Sequence, residues 1–196
     1  MNSGDPDKWL AFYGPFFGSD VDVRAFVTHL EALCLGDARH PAKIMMHQTQ
    51  RLVSLADDLP RIRKANETLQ LLFLLVCAEH IAKLAHNFNR EGSSRMYVRN
   101  FFRWFLSPEQ QYQLSAGITK HDHSTLTLRQ AVDALYTVRC DVVHEGKYWG
   151  FHFRAGEDAI LNCDPDVIVS LTLRDFRKLV VRGCITAIET YPRALE

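Results

Sequence analysis

Thr127-Leu-Arg-Gln-Ala-Val-Asp-Ala-Leu-Tyr-Thr-Val-Arg139-Cys-Asp-Val-Val-His144-Glu-Gly146 carries its own start, face and stop. A threonine followed three residues later by Gln130 is a capping-box pattern, in which each side chain serves the other's backbone N–H at a helix N-terminus. Leu128, Ala131, Val132, Leu135, Val138 and Val142 then recur at helical spacing as a core-facing stripe. Gly146 stands where a left-handed C-terminal cap belongs. The stretch predicts a helix whose last two turns hold Arg139 and His144.

The same signals recur on either side. Asn66 to Phe88 predicts the most apolar helix, with Leu69, Leu72, Phe73, Val76, Ile81, Leu84 and Ala85 giving a broad face suited to the middle of a bundle, and Glu79 and His80 as polar exceptions. Its apolar stretch, Leu69 to Ala78, falls short of the roughly 20 residues a membrane span needs. Asp20 to Leu35 predicts a helix ended near Gly36, and a second is expected after Pro41 until Asp57-Asp-Leu-Pro60 interrupts it. Met96 to Leu106 sets Phe101, Phe102, Trp104 and Phe105 largely opposite a row of Arg95, Arg99 and Arg103. Ser107-Pro-Glu-Gln110 and Thr172-Leu-Arg-Asp175 open two further helices, the last ending before Pro192.

After Lys147 the period changes to alternation. Tyr148 to Phe153, a Gly156-Glu-Asp turn, Ala159 to Leu161 and Val167 to Leu171 predict a small antiparallel hairpin or three-stranded flap, an insert at about 148–171. The fold class expected is mainly α, an up-and-down helical bundle with that flap after the motif helix, as a single domain over 1–196.

Composition bounds the function. With 196 residues, 47% of them hydrophobic, the chain is long enough for one substantial core. Lys plus Arg and Asp plus Glu are balanced at 23 each, so no global charge draws it to nucleic acid or to a membrane surface, and any RNA site must be a local patch. Cys34, Cys77, Cys140, Cys163 and Cys184 are odd in number, scattered and without a CxxC pair. That argues against a disulfide framework and a zinc site, and it fits a reducing cytoplasm. Met-Asn-Ser-Gly-Asp-Pro-Asp has no basic region leading into an apolar run, so neither a signal peptide nor a lipid anchor is expected. No cofactor, metal or membrane partner is expected.

Arginine is a permanent cation whose planar donor fork suits phosphate, and histidine is the side chain that exchanges protons near neutral pH. Together they suit cleavage of RNA. A base activates the ribose 2′-hydroxyl, an acid serves the leaving oxygen, and positive charge meets the phosphorane-like transition state. His144 fits the first or second role and Arg139 the third. The nucleophile belongs to the substrate, so no metal is needed and the product carries a 2′,3′-cyclic phosphate. Five helical positions rotate roughly 500°, so Arg139 and His144 lie about 140° apart. Either the helix ends before His144, or two chains share the site.

Arginine, four intervening residues and histidine near a helix end resembles the motif of the HEPN family, small helical domains of prokaryotic toxins and defence systems. The resemblance runs loosely from Asn66 to Tyr191, and Leu75-Val-Cys-Ala-Glu79 is similar to the acidic helix that precedes the motif in that family. His144-Glu-Gly-Lys147 is similar to the ending in its abortive-infection and Apea-like members. The chain departs from active members in having Cys140 directly after the arginine, with Asp141 one place on.

The resemblance implies a metal-independent endoribonuclease in a toxin–antitoxin or phage-defence setting. It implies a homodimer with a composite cleft, Arg139 and His144 as catalytic pair, and Asp141, Glu79 and Lys147 in support. RNA is the substrate implied, with an antitoxin or defence-complex subunit as a possible partner.

Plainer alternatives stand beside these. Arg139 pairs with Asp141 or Glu79 in a catalytically silent interaction module, or its cleft binds a nucleotide without hydrolysis. Arg95, Arg99 and Arg103 either hold an RNA backbone or form a solvated face. Tyr148, Trp149, Phe151 and Phe153 either stack a base or are the buried face of the hairpin. His121-Asp-His123 reads as a solvated loop, and among the helical histidines His80 stands out for its place beside Glu79.

Overall fold

The computed structural model describes residues 6–37, 39–62, 66–86 and 92–191. Met1 to Asp5, the Asn87–Phe88 end of the most apolar predicted helix, and Pro192 lie outside them. Eight helices are described: α1 (Pro6–Tyr13), α2 (Asp20–Leu33), α3 (Pro41–Ile62), α4 (Glu67–Ala85), α5 (Ser94–Trp104), α6 (Pro108–Ala116), α7 (Leu128–Glu145) and α8 (Leu173–Thr190). Three short strands, β1 (Ile118–Lys120), β2 (Ile160–Cys163) and β3 (Asp166–Val169), make an antiparallel sheet in the order β1-β3-β2. The chain is mainly helical with a small sheet, as the periodicities predict.

α4 is the central element and packs against α3, α5, α7 and α8. By length and composition it is apolar enough to cross a membrane, which the stretch Leu69–Ala78 did not suggest. Its Leu71, Leu74, Leu75, Cys77, Ala78, Ile81 and Ala82 are instead buried among the surrounding helices. An aromatic chain runs outward from this core. Phe101 meets Phe102 at 5.2 Å, Phe102 meets Phe176 at 5.8 Å, Phe176 meets Phe153 at 5.5 Å, and Phe153 meets Phe151 at 5.1 Å. It fastens the segment after α7 onto α5 and α8.

α1 and the 3-10 turn Gly14–Phe16 give no sequence signal of comparable strength, yet they close the bundle. Trp9, Tyr13 and Phe16 are buried, and the Tyr13 hydroxyl donates to the Met46 carbonyl at 2.8 Å.

Two expectations need correction. The predicted break at Asp57–Pro60 does not occur, and α3 runs through Pro60 to Ile62. Proline has no N–H for the carbonyl four residues back, here Ala56, a loss that usually ends a helix. The buried Gln70 side chain of α4 supplies the missing donor, its Nε2 reaching the Ala56 carbonyl at 2.9 Å. A proline is tolerated because a neighbouring helix completes its ladder.

The second concerns Tyr148 to Phe153, which is not a strand; the third strand of the sheet is β1, between α6 and α7. The alternation is real, since Phe151 and Phe153 are buried while His152 is exposed. Its backbone groups are met by side chains instead of a ladder. The buried Asn162 accepts from the His152 N–H at 2.6 Å and donates to the His152 carbonyl at 2.9 Å. Thr68 donates to the Phe151 carbonyl at 3.1 Å, and Glu67 accepts from the Phe153 N–H at 2.9 Å. The extended segment therefore lies along β2 without joining the sheet.

Gln70→Leu leaves a buried carbonyl without a donor and is expected to cost about 1–3 kcal/mol in urea denaturation. In a Pro60→Ala background, where the helix regains its own N–H, the same substitution should cost clearly less. Equal costs in both backgrounds would refute the compensation. Asn162→Ala, which strips two backbone partners from His152, is expected to lower stability by about 2–3 kcal/mol in the same measurement.

Candidate functional site at the two faces of α7

The capping box at Thr127 and Gln130 forms as the sequence predicts, with Thr127 Oγ1 accepting from the Gln130 N–H and the Gln130 side chain accepting from the Thr127 N–H. α7 then continues through His144 to Glu145. Gly146 caps it in the left-handed region at φ 66°, its N–H on the Asp141 carbonyl. Of the two arrangements left open, an early helix end is thereby overturned. Arg139 and His144 stay about 140° apart on one rigid helix.

The Arg139 face is a packed cationic cluster. The Arg139 guanidinium lies 3.6 Å from Glu79, whose other oxygen takes a 2.6 Å hydrogen bond from Lys83 one helical turn on. At 3.6 Å the Arg139 contact is ionic and too long for a hydrogen bond. The guanidinium also sits 5.3 Å from the Tyr136 ring centre, and that of Arg95 sits 5.0 Å from the same ring. Lys83 lies over Tyr97 at 5.3 Å. Two cations, Arg139 and Lys83, thus share one carboxylate, Glu79, and a third, Arg95, joins them across the Tyr136 ring. This is a local positive patch in a chain of zero net charge. Burial raises the Tyr136 hydroxyl above its ordinary pKa, with Arg139 opposing the rise. Burial lowers the half-buried His80, assisted by Lys83 and opposed by Glu79.

The arginine row divides. Arg99 makes a bidentate pair with Asp133 of α7, two bonds of 2.6 Å, so it braces α5 against α7. Arg95 joins the Tyr136 cluster, and Arg103 is exposed. The row faces α7 over part of its length, which the four-residue spacing alone did not reveal.

The supporting residues Asp141 and Lys147 do not join Arg139. They line a cleft of about 240 Å³ on another side of the end of α7, with Thr68, Trp149, Gly150 and Asp164. Lys147 bonds Glu145 at 2.6 Å. Burial raises Asp141 above its ordinary pKa, and the negative charges of Asp164 and Glu145 add to the rise while Lys147 opposes it. Three carboxylates surround one ammonium here, so the sign is opposite to that of the Arg139 cluster. His144 is exposed and lies next to Asp141 on the helix surface, at i,i+3 spacing.

Sequence reasoning missed Tyr136, Lys83 and Asp164. Tyr136 sits one turn before Arg139 and Lys83 one turn after Glu79, so helical spacing held a signal for both. Asp164 comes from the β2–β3 turn and had none. Phe151 and Phe153 are core, whereas Trp149 is 65% exposed. His121, Asp122 and His123 lie on an exposed turn, with His123 at positive φ. Among the described residues no group of three or more His, Cys, Asp or Glu side chains is placed to hold a metal ion.

Comparison with protein-family models, curated proteins and solved structures found no match to this chain.

Removing Glu79 strands two cations, whereas removing Arg139 leaves Glu79 its Lys83 partner. Glu79→Ala is therefore expected to cost about 3 kcal/mol and Arg139→Ala about 1 kcal/mol in chemical denaturation. The reverse order would show that Arg139, not Glu79, holds the cluster together.

Proposed function

We propose that the chain is a HEPN-like endoribonuclease that cleaves RNA without a metal ion, working as a homodimer in which Arg139 of one protomer and His144 of the other address the same phosphate. The observation that carries this reading is the cationic cluster at Tyr136 together with an exposed histidine at the end of the same helix. The patch supplies the local positive charge that the neutral composition demanded. Arg139 keeps donors of its fork for an anion because its tie to Glu79 is ionic, and the Tyr136 ring and Glu79 limit where the guanidinium can point. Such preorganised charge is the form of transition-state stabilisation that costs least at the moment of reaction.

The shared site follows from helix geometry. One α7 turns His144 away from Arg139 and beside three carboxylates that repel phosphate. A two-fold axis bringing two α7 ends together sets each His144 against the partner's patch, which makes two equivalent sites of one arginine and one histidine each. His144 accepts the 2′-hydroxyl proton, the 2′-oxygen attacks phosphorus, and the 5′-oxygen leaves with a proton taken from water. The products are a 2′,3′-cyclic phosphate and a 5′-hydroxyl. A cytoplasmic toxin or phage-defence role, with an antitoxin or defence-complex partner, is part of this reading by family resemblance alone.

The Glu79–Arg139 pair also favours a second reading, a silent helical module that binds a protein partner. The two separate in one assay. Purified protein is expected to cleave labelled single-stranded RNA in EDTA and leave cyclic phosphate ends, with Arg139→Ala and His144→Ala each at least about 100-fold slower at unchanged fold, the usual scale for a lost acid–base group. Full cleavage by both variants would reject the mechanism, and silence of the parent on RNAs of varied sequence would favour the module.

A further inference from the structure

We infer that the cleft between the end of α7 and the β2–β3 turn is a nucleobase pocket that reads a donor edge, accepting guanine ahead of the other bases. This rests on the reading that RNA is the substrate.

The cleft is walled from four parts of the chain: Thr68 at the start of α4, Val138 and Asp141 on α7, Lys147 with Trp149, Gly150 and Phe151 in the segment after α7, and Asp164. At about 240 Å³ it is smaller than the roughly 300–1,000 Å³ of sites that take drug-sized molecules, and it suits one planar heterocycle. Trp149, a large aromatic side chain left 65% exposed at its rim, offers a face for stacking. Beside it Gly150 has no side chain, and nothing lies within 4 Å of where a Cβ would stand, so the approach to the indole is open.

Polarity then selects the ligand. Asp141 and Asp164 are acceptors only when ionised, so a ligand's polar edge must donate. The carboxylates exclude phosphate from this cleft and leave it to the Arg139 patch, so base and phosphate are sorted to different sides of the α7 end. Guanine offers adjacent N1–H and N2–H donors that match a carboxylate, adenine and cytosine offer a single amino group, and uracil sets its one N–H between two carbonyls that a carboxylate repels. The i,i+3 place of Asp141 beside His144 puts the pocket next to the reacting group.

The test is calorimetric titration of the intact protein with guanosine, inosine, uridine and agmatine, none of which carries a phosphate. Guanosine is expected to bind. Inosine, which lacks the N2 amino group, should bind about tenfold more weakly, the effect of one lost hydrogen bond. Uridine should give no saturable heat. Asp164→Asn and Trp149→Ala, both at exposed positions, should each weaken guanosine at least about tenfold while leaving the thermal midpoint in place. Absence of guanosine binding, equal affinity for uridine, or tighter binding of agmatine would overturn the inference, the last by showing a cation site. Nucleoside binding needs no cleavage, so its failure beside His144-dependent cleavage removes the pocket and keeps the ribonuclease. Selective guanosine binding by a protein that cuts no RNA does the reverse.

Discussion

A helix that is apolar on nearly every side has to be enclosed, and each polar group it carries has to be met from a neighbour. α4 sets this constraint, and much of the molecule can be read as its solution. Its buried side chains are surrounded by α3, α5, α7 and α8. Its few polar groups each fix one neighbour in place. Gln70 repairs the ladder of α3 at Ala56, Thr68 and Glu67 hold the backbone of the segment after α7, and Glu79 ties Lys83 and Arg139. A buried polar group without a partner costs more than a made one contributes, so these contacts specify position more than they add stability.

The charge pattern around α7 follows from the same packing. Glu79 draws the side chain of Arg139 toward α4, while α5 brings Arg95 over the other contact of Tyr136 and locks itself to α7 through Arg99 and Asp133. Beyond the Gly146 cap the chain turns back and brings Lys147 and Trp149 near Asp164, where three carboxylates share one ammonium. The end of one helix thus separates a phosphate-attracting face from a phosphate-repelling one, with His144 on the second. In the proposed mechanism a single protomer would hold its proton-transfer group on the wrong side of its own arginine. That electrostatic mismatch, beside the helical rotation, is the physical ground on which the proposed site draws its two groups from two chains.

Much of this was readable in the sequence because it is local. Capping boxes at Ser107 and Thr127, the Thr172 cap, the left-handed glycines and the 3.6-residue stripes depend on residues a few positions apart, and they form where expected. Glu79 was also marked, with His80, as a polar exception on an apolar helix. What failed depended on long-range donors. Pro60 looked like a helix end because Gln70 is a partner from the next helix. Tyr148 to Phe153 looked like a strand because its alternation is true, while the groups that replace the ladder come from Asn162, Thr68 and Glu67. Asp164 is brought to the cleft by a turn that no periodicity announces, and β1 is too short to show a period.

The most direct test of the account is complementation between two inactive variants. Arg139→Ala and His144→Ala proteins, each silent alone, are unfolded together, refolded and assayed on an RNA that the parent cuts. A site built from two chains predicts recovered cleavage, because each mixed dimer holds one intact arginine facing one intact histidine. If mixed dimers form and the mixture stays as silent as its components, Arg139 and His144 act within one protomer and the shared cleft is wrong.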